Sequence, residues 1–122
     1  MTKGKDSLHE RFSRSTEIQL SVTGRKSGKT VSIPVWFVLE ADKLWLLPVK
    51  GSDTQWYQNV LKNPTIGIEV RGEAAKLRAQ PINDPKGVGS VIEKFREKYG
   101  ASDVKKYYSK FDVAVEAEIS GK

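Results

Sequence analysis

Val22-Thr23-Gly24-Arg25-Lys26-Ser27-Gly28-Lys29-Thr30-Val31-Ser32-Ile33-Pro34-Val35-Trp36 reads as two strands joined by a tight basic turn. Ile18, Leu20 and Val22 fall on one face of the run that enters the turn, and Val31, Ile33, Val35 and Phe37 resume the alternation after it. That period of two is the pattern of paired, half-buried strands. Gly24 and Gly28 permit positive φ, and Arg25, Lys26, Ser27 and Lys29 surround them with cations and a hydroxyl. A plain hairpin asks for only one or two Gly or Asn residues. This turn can present backbone N–H groups, a hydroxyl and several cations to one phosphate or carboxylate. The same residues also suit a solvated loop, because Lys and Arg are common in exposed turns.

Working outward, strands are expected over 16–23, 30–39 and 43–49, the last containing Leu44, Trp45, Leu46 and Leu47. Lys50-Gly51-Ser52-Asp53 is a loop in which Ser52 or Asp53 can cap a helix running to about Lys62. Trp56/Val60 and Tyr57/Leu61 are the i, i+4 pairs of that helix, and Asn63-Pro64 ends it. Ile66, Ile68 and Val70 alternate in a fourth strand, and Arg71-Gly72-Glu73 turns it into a fifth over 74–82, with Ala75, Leu77 and Ala79 on one face. Asp84-Pro85 is a cap followed by a first-turn proline, and Val88, Ile92, Phe95 and Tyr99 form the stripe of a helix closed by Gly100. A short helix starts at Ser102-Asp103 and carries Tyr107 and Tyr108; a last strand has Phe111, Val113, Val115, Ala117 and Ile119 in alternation. Residues 1–14 form an N-terminal arm or, from the Leu8/Phe12 pair, a short helix. Six short strands linked mostly by hairpins, with a few helices, predict an α+β fold: an antiparallel six-stranded barrel with helices packed outside it, in one domain over 1–122.

Composition narrows the chemistry. The chain has 122 residues, enough for a real core without staples, and no cysteine, which excludes disulfides, thiolate metal sites and a Cys nucleophile. One histidine, His9, in a polar stretch gives no basis for a metal site. No apolar run resembles a signal or a membrane span, so a cytoplasmic protein is expected. The formal net charge of +6 favours an anionic partner: nucleic acid, acidic lipid or a phosphorylated small molecule. Glu69, Glu73, Glu93 and Glu97 interleave with the basic residues and argue against a nucleic-acid face.

The basic turn, Lys50-Gly51 and the Trp56-Tyr57-Gln58-Asn59 helix start occur in an order that resembles a known family. Thr23-Gly24-Arg25-Lys26-Ser27-Gly28-Lys29, then Ile33-Pro34, Lys50-Gly51, Trp56-Tyr57 with Asn59, and Asn63-Pro64 are similar to the deazaflavin-dependent nitroreductases of the FMN-binding split β-barrel superfamily. Val35-Trp36-Phe37-Val38 and Lys98-Tyr99-Gly100 look closer to an uncharacterised branch of that superfamily. The resemblance covers roughly residues 18–71. It implies a small six-stranded split β-barrel, coenzyme F420 as cofactor with FMN as the alternative, and hydride transfer to a small conjugated or nitro-type acceptor. By the same likeness Arg25, Lys26, Ser27 and Lys29 would hold the phosphate and tail carboxylates, and Lys50 and Gly51 would approach the ring system or its ribityl chain. Trp56 and Asn59 would line the site from the helix, with Pro34 and Val35 near the deazaflavin edge. Related split barrels commonly dimerise, so a homodimer is an expectation of the likeness alone.

The chain departs from the family pattern at three places. Val31 stands where an arginine is usual, Ser52 where a second glycine is common, and Asp53-Thr54-Gln55 where a His-Pro often precedes Trp-Tyr. Asp53 puts an acid close to the expected phosphate site. Tyr99, Tyr107 and Tyr108 are read first as packing residues and second as cover for a substrate pocket. The reductase expectation therefore stands beside a second one, a non-catalytic carrier of a flavin, haem or other small ligand. No catalytic acid or base is singled out; a cofactor-borne hydride needs positioning and exclusion of water more than side-chain chemistry.

Overall fold

Trp36 divides what the sequence reads as a single strand. In the computed structural model, which describes residues 15–40 and 42–119, β1 (Ile18–Thr23) pairs with β2 (Thr30–Val35), and β3 (Phe37–Glu40) leaves that ladder to pair with β4 (Lys43–Leu46). The expected run 30–39 is thus two strands on two ladders, which makes seven strands and corrects the expected six. Pro34 has no N–H to give and lies on an edge strand, where none is needed. The N-terminal arm expected over 1–14 lies outside the described residues.

A 3₁₀ turn (Gly51–Asp53) and α1 (Gln55–Lys62) follow, then β5 (Thr65–Val70), β6 (Glu73–Ile82), α2 (Pro85–Tyr99), α3 (Ala101–Tyr107) and β7 (Ala114–Glu118). The sheet order is β2-β1-β5-β6-β7-β4-β3, antiparallel throughout. The ten-residue β6 makes this possible: Glu73–Arg78 pairs with β5, and Ala79–Ile82 pairs with β7. The two edge strands, β2 and β3, are joined through Trp36, so the sheet must curl toward itself into a half-barrel. The architecture is mixed α+β.

One core fills the inside of the curl. Leu20, Phe37, Leu44, Leu46, Ile66 and Val115 are essentially inaccessible there, with α1 inserting Trp56, Tyr57 and Val60. A second cluster lies outside, where α2 and α3 bring Val91, Phe95, Val104 and Tyr108 against Val38, Leu47 and Ala114. At roughly 1.5–3 kcal/mol per buried large apolar side chain, these two clusters are the main driving force of the fold.

Helix ends follow local chemistry. Asp84 Oδ2 accepts from Gly87 N at 2.8 Å and Pro85 begins α2, as the sequence predicts. Gly100, at φ +96°, closes α2 and also caps α3, which therefore starts at Ala101, ahead of the expected Ser102-Asp103. Ser52 and Asp53 do not cap α1: Thr54 occupies that position, and its hydroxyl instead accepts from Lys50 N at 2.8 Å. Among the described residues no helix is long and apolar enough to cross a membrane.

Tyr99 holds the opening of the curl. Its hydroxyl lies 2.7 Å from Thr16 O and 2.9 Å from Phe37 O, and accepts from Phe37 N at 3.1 Å. Its ring stacks on Trp36 with centroids 4.1 Å apart and planes 8° from parallel. One side chain thus ties the segment before β1 to the start of β3 and fixes the indole between β2 and β3.

Candidate functional site

The basic turn is built around its own backbone. Gly24 N donates to Lys29 O at 2.8 Å, Gly28 N to Gly24 O at 2.9 Å, and Lys29 N to Ser27 Oγ at 3.1 Å. Gly28 takes φ +73°, a left-handed conformation that favours glycine. The turn is then fastened to α1. Arg25 N and Arg25 Nη1 both donate to Asn59 Oδ1, at 3.1 and 2.8 Å, and Arg25 Nη2 donates to Gln55 Oε1 at 3.0 Å. Asn59 is only 7 % exposed and is the one buried polar side chain among the described residues. Lys26, Ser27 and Lys29 stay on the surface, and neither lysine has an ion-pair or hydrogen-bond partner through its ammonium group among the described residues. Of the four turn residues that the sequence singles out, one is therefore an anchor and three face solvent.

The Lys50-Gly51 loop is fastened on its other side. Ser52 N and Ser52 Oγ donate to Asp112 at 2.9 and 2.6 Å, and Gln58 Nε2 donates to Ser52 O. These bonds to Ser52 hold the Asp112 carboxyl below its ordinary range. Asp53 is paired with Lys110 at 3.1 Å, so the acid near the loop is locally neutralised. Gly51 sits at φ +55°, and a Cβ there would lie 2.1 Å from Asp112 Oδ1 and 2.9 Å from Lys110 Cγ. Gly51→Ala must strain the backbone and displace Asp112 from Ser52. It is expected to cost about 2 kcal/mol, one left-handed penalty plus a disrupted charged hydrogen bond. Urea titration checks this; a loss under about 0.5 kcal/mol would show that the loop moves freely.

Between β2, α1 and α3 lies a cleft of about 670 Å³, within the range of small-molecule sites. Ile33, Pro34, Val35 and Trp36 form one wall, and Leu47, Val49, Thr54 and Trp56 form another. Tyr107 and Tyr108 close it from α3, and Glu17 and Asp103 are its charged lining residues. Tyr107 meets Trp36 edge-on with centroids 5.6 Å apart, and Tyr108 lies tilted to it at 5.9 Å. Burial pushes the Tyr108 hydroxyl well above the ordinary phenol range, with Tyr99 adding to the shift.

Of the residues expected from sequence, Pro34, Val35 and Trp56 line this cleft. Lys50 and Gly51 sit in the loop between two lining residues, Val49 and Thr54. Asn59 turns to Arg25, and the basic turn packs on the face of α1 that carries Gln55 and Asn59, beside the face that carries Trp56. The first turn of α1 links the two regions: Gln55 touches Arg25, and the next residue, Trp56, faces the cleft. Tyr107 and Tyr108 do reach the cleft, while Tyr99 backs Trp36. Sequence reasoning missed Glu17, Ile33, Trp36, Leu47, Val49, Thr54 and Asp103 among the lining residues, and of these Trp36 had a local signal. Its signal was an aromatic at the point where an alternating run grows too long for one strand of a small barrel.

A family model described as F420H(2)-dependent quinone reductase matches residues 2–118. Among solved structures, an F420-H2-dependent reductase (FDR-A) is 22% identical, covering 84% of this chain and 94% of its own, with TM-score 0.66. A domain-swapped dimer is 21% identical, with 93% and 98% covered and TM-score 0.62. The haem storage protein HutZ from Vibrio cholerae is 14% identical, with 97% and 91% covered and TM-score 0.72. At these identities the structures establish likeness of fold.

Proposed function

This chain belongs to the F420H2-dependent quinone reductase family and is therefore an F420-dependent oxidoreductase; we propose that the cleft between Trp36 and Trp56 is where the deazaflavin meets a planar, quinone-type acceptor, and that the 24–29 turn holds the anionic tail. In this reading the curled sheet is a split barrel, and a homodimer is its expected assembly. The observation that carries the proposal is the division of labour across α1. An aromatic cleft reaches Trp56, and a turn whose two lysines are unpaired among the described residues is fastened to the neighbouring Gln55 and Asn59.

The donor set fits such a cofactor. A planar ring needs flat apolar walls, and Trp36, Trp56, Val35 and Tyr108 supply them. An anionic tail needs cations that are not already committed, and Lys26 and Lys29 meet that condition while Arg25 does not. Bound F420H2 supplies the hydride; the chain supplies position. Arg25 fixes the turn against α1, Tyr99 fixes the Trp36 plane, and the Asp112–Ser52 bonds fix the loop between Val49 and Thr54. Tyr107 and Tyr108 shield the reacting edge from water, as a hydride transfer requires. Lys110 cancels Asp53, which removes the electrostatic objection raised by that departure from the family pattern.

The arrangement chooses the test. Replacing Arg25 would disturb the fold as well as any binding, whereas Lys26→Ala with Lys29→Ala removes exposed, unpaired charges. That double variant is expected to keep its melting temperature and to lose at least tenfold in F420 affinity, about 1.4 kcal/mol, half or less of what two charge-assisted bonds supply. Fluorescence titration with F420 reads this. Unchanged affinity would remove the tail from this turn.

A further inference from the structure

The cleft carries the opposite charge to the protein around it. The chain has 21 Lys and Arg against 15 Asp and Glu, yet among the described residues no Lys or Arg lines the cleft, and its charged lining residues are Glu17 and Asp103. They come from distant parts of the chain, Glu17 from the segment before β1 and Asp103 from the first turn of α3. Neither has an ion-pair or hydrogen-bond partner among the described residues; Glu69, Glu73, Glu97 and Glu118 share that condition, so what sets Glu17 and Asp103 apart is their place in the cleft lining. Asp103 also suits the positive end of α3, but Glu17 has no such local role. Its field is felt at the aromatic wall, where it helps to hold the proton on Tyr99 behind Trp36.

We infer that Glu17 and Asp103 make the acceptor end of the cleft selective by charge, admitting neutral or cationic planar acceptors and rejecting anionic ones. This rests on the reading of the cleft as the acceptor site. The cleft and the basic turn would then differ in local charge. Lys26 and Lys29 lie on the basic turn, and Glu17 and Asp103 line the cleft. The two ends would sort two ligands of different charge, and an anionic metabolite that shares the tail's chemistry would be repelled from the place where an acceptor belongs. The net charge of +6 predicts the reverse preference, so global and local electrostatics make opposite forecasts.

The test uses three quinones with one ring system: 1,4-naphthoquinone, its 2-sulfonate, and a derivative bearing a trimethylammonium group. Their binding to the cofactor-free protein is read by quenching of tryptophan fluorescence, because Trp36 and Trp56 line the cleft. At low salt the cationic quinone is expected to bind on the order of tenfold more tightly than the sulfonate, with the neutral one between them. Glu17→Gln with Asp103→Asn should bring that ratio close to one or invert it, and so should about 1 M salt. A preference for the sulfonate in the unaltered protein overturns the inference. So does a ratio that the double variant leaves unchanged, or failure of all three quinones to quench. Failure to turn over any of them with F420H2 would instead count against the reductase reading of the cleft, and would leave the binding ratio as evidence on charge selection.

Discussion

Asn59→Ala is expected to cost about 3 kcal/mol of folding stability, roughly 10 °C in melting temperature for a domain of this size. Two effects add. Arg25 N and Arg25 Nη1 both lose their acceptor, and the N–H is left in a part-buried position that water reaches poorly. An unsatisfied buried donor costs about 1–3 kcal/mol, and the charge-assisted bond from the guanidinium is worth a similar amount. Truncating a side chain that is only 7 % exposed also leaves a small void. Asn59→Asp should recover much of the loss, because a carboxylate still accepts both bonds and gains an ion pair with Arg25. The same pair of variants separates positioning from contact. If Asn59 acts through Arg25, F420 affinity should fall with Asn59→Ala and recover with Asn59→Asp. If Asn59 touched the cofactor directly, the new negative charge would weaken binding of an anion further. A double-mutant cycle with Arg25→Ala should show coupling of about 1–3 kcal/mol; additivity would mean that the fastening seen here contributes nothing.

Much of the fold was legible because it rests on local chemistry. The period-two runs at 18–22 and 66–70, the Asp84-Pro85 start and the Gly100 stop of α2 each announce themselves within a few residues. What was not legible depends on contacts across the chain. Residues 30–39 alternate without a break, and only the competing partners, β1 for one half and β4 for the other, cut the run at Trp36. Ser52 and Asp53 have the composition of caps, but Asp112 and Lys110, almost 60 positions later, claim their side chains. Arg25 shows the same limit within the candidate site. Its sequence context is shared with Lys26 and Lys29, and nothing local says that Asn59 and Gln55 will engage it while the lysines remain uncommitted. Of the residues expected from sequence, Pro34, Val35 and Trp56 line the candidate cleft. Tertiary pairing decided which of the turn's charges are available.

Raising the pH is expected first to strengthen the fold slightly and then to weaken it steeply, with the turning point near 10. Burial pulls the Lys98 ammonium down from its ordinary 10.5 to about 8. Below about 8 both folded and unfolded chains carry that charge and the folded state bears its cost. Between about 8 and 10.5 the unfolded chain binds the extra proton, so stability rises with pH until the cost is relieved. The phenols act in the opposite sense. Burial raises Tyr57, Tyr99 and Tyr108, with Asp112 adding at Tyr57, Glu17 at Tyr99 and Tyr99 at Tyr108, while the Phe37 bond opposes the shift at Tyr99. Below pH 10 all three are protonated in both states and their contribution is intact. Above it the unfolded chain ionises first, the folded chain holds its protons, and stability falls. Tyr99 moves to about 12; such a shift is worth about 2.7 kcal/mol in full and about 1 kcal/mol after screening at a partly exposed ring. Each ionising phenol adds a slope of at most about 1.4 kcal/mol per pH unit, so three together can remove several kcal/mol by pH 12. Denaturant titrations at pH 7, 9.5 and 11 read both limbs. Lys98→Met should flatten the rising one and Tyr108→Phe the falling one, and an alkaline limb unchanged in Tyr108→Phe would contradict the burial argument. Under the proposed reading of the cleft, its charged lining residues Glu17 and Asp103 would set the field that a bound acceptor meets.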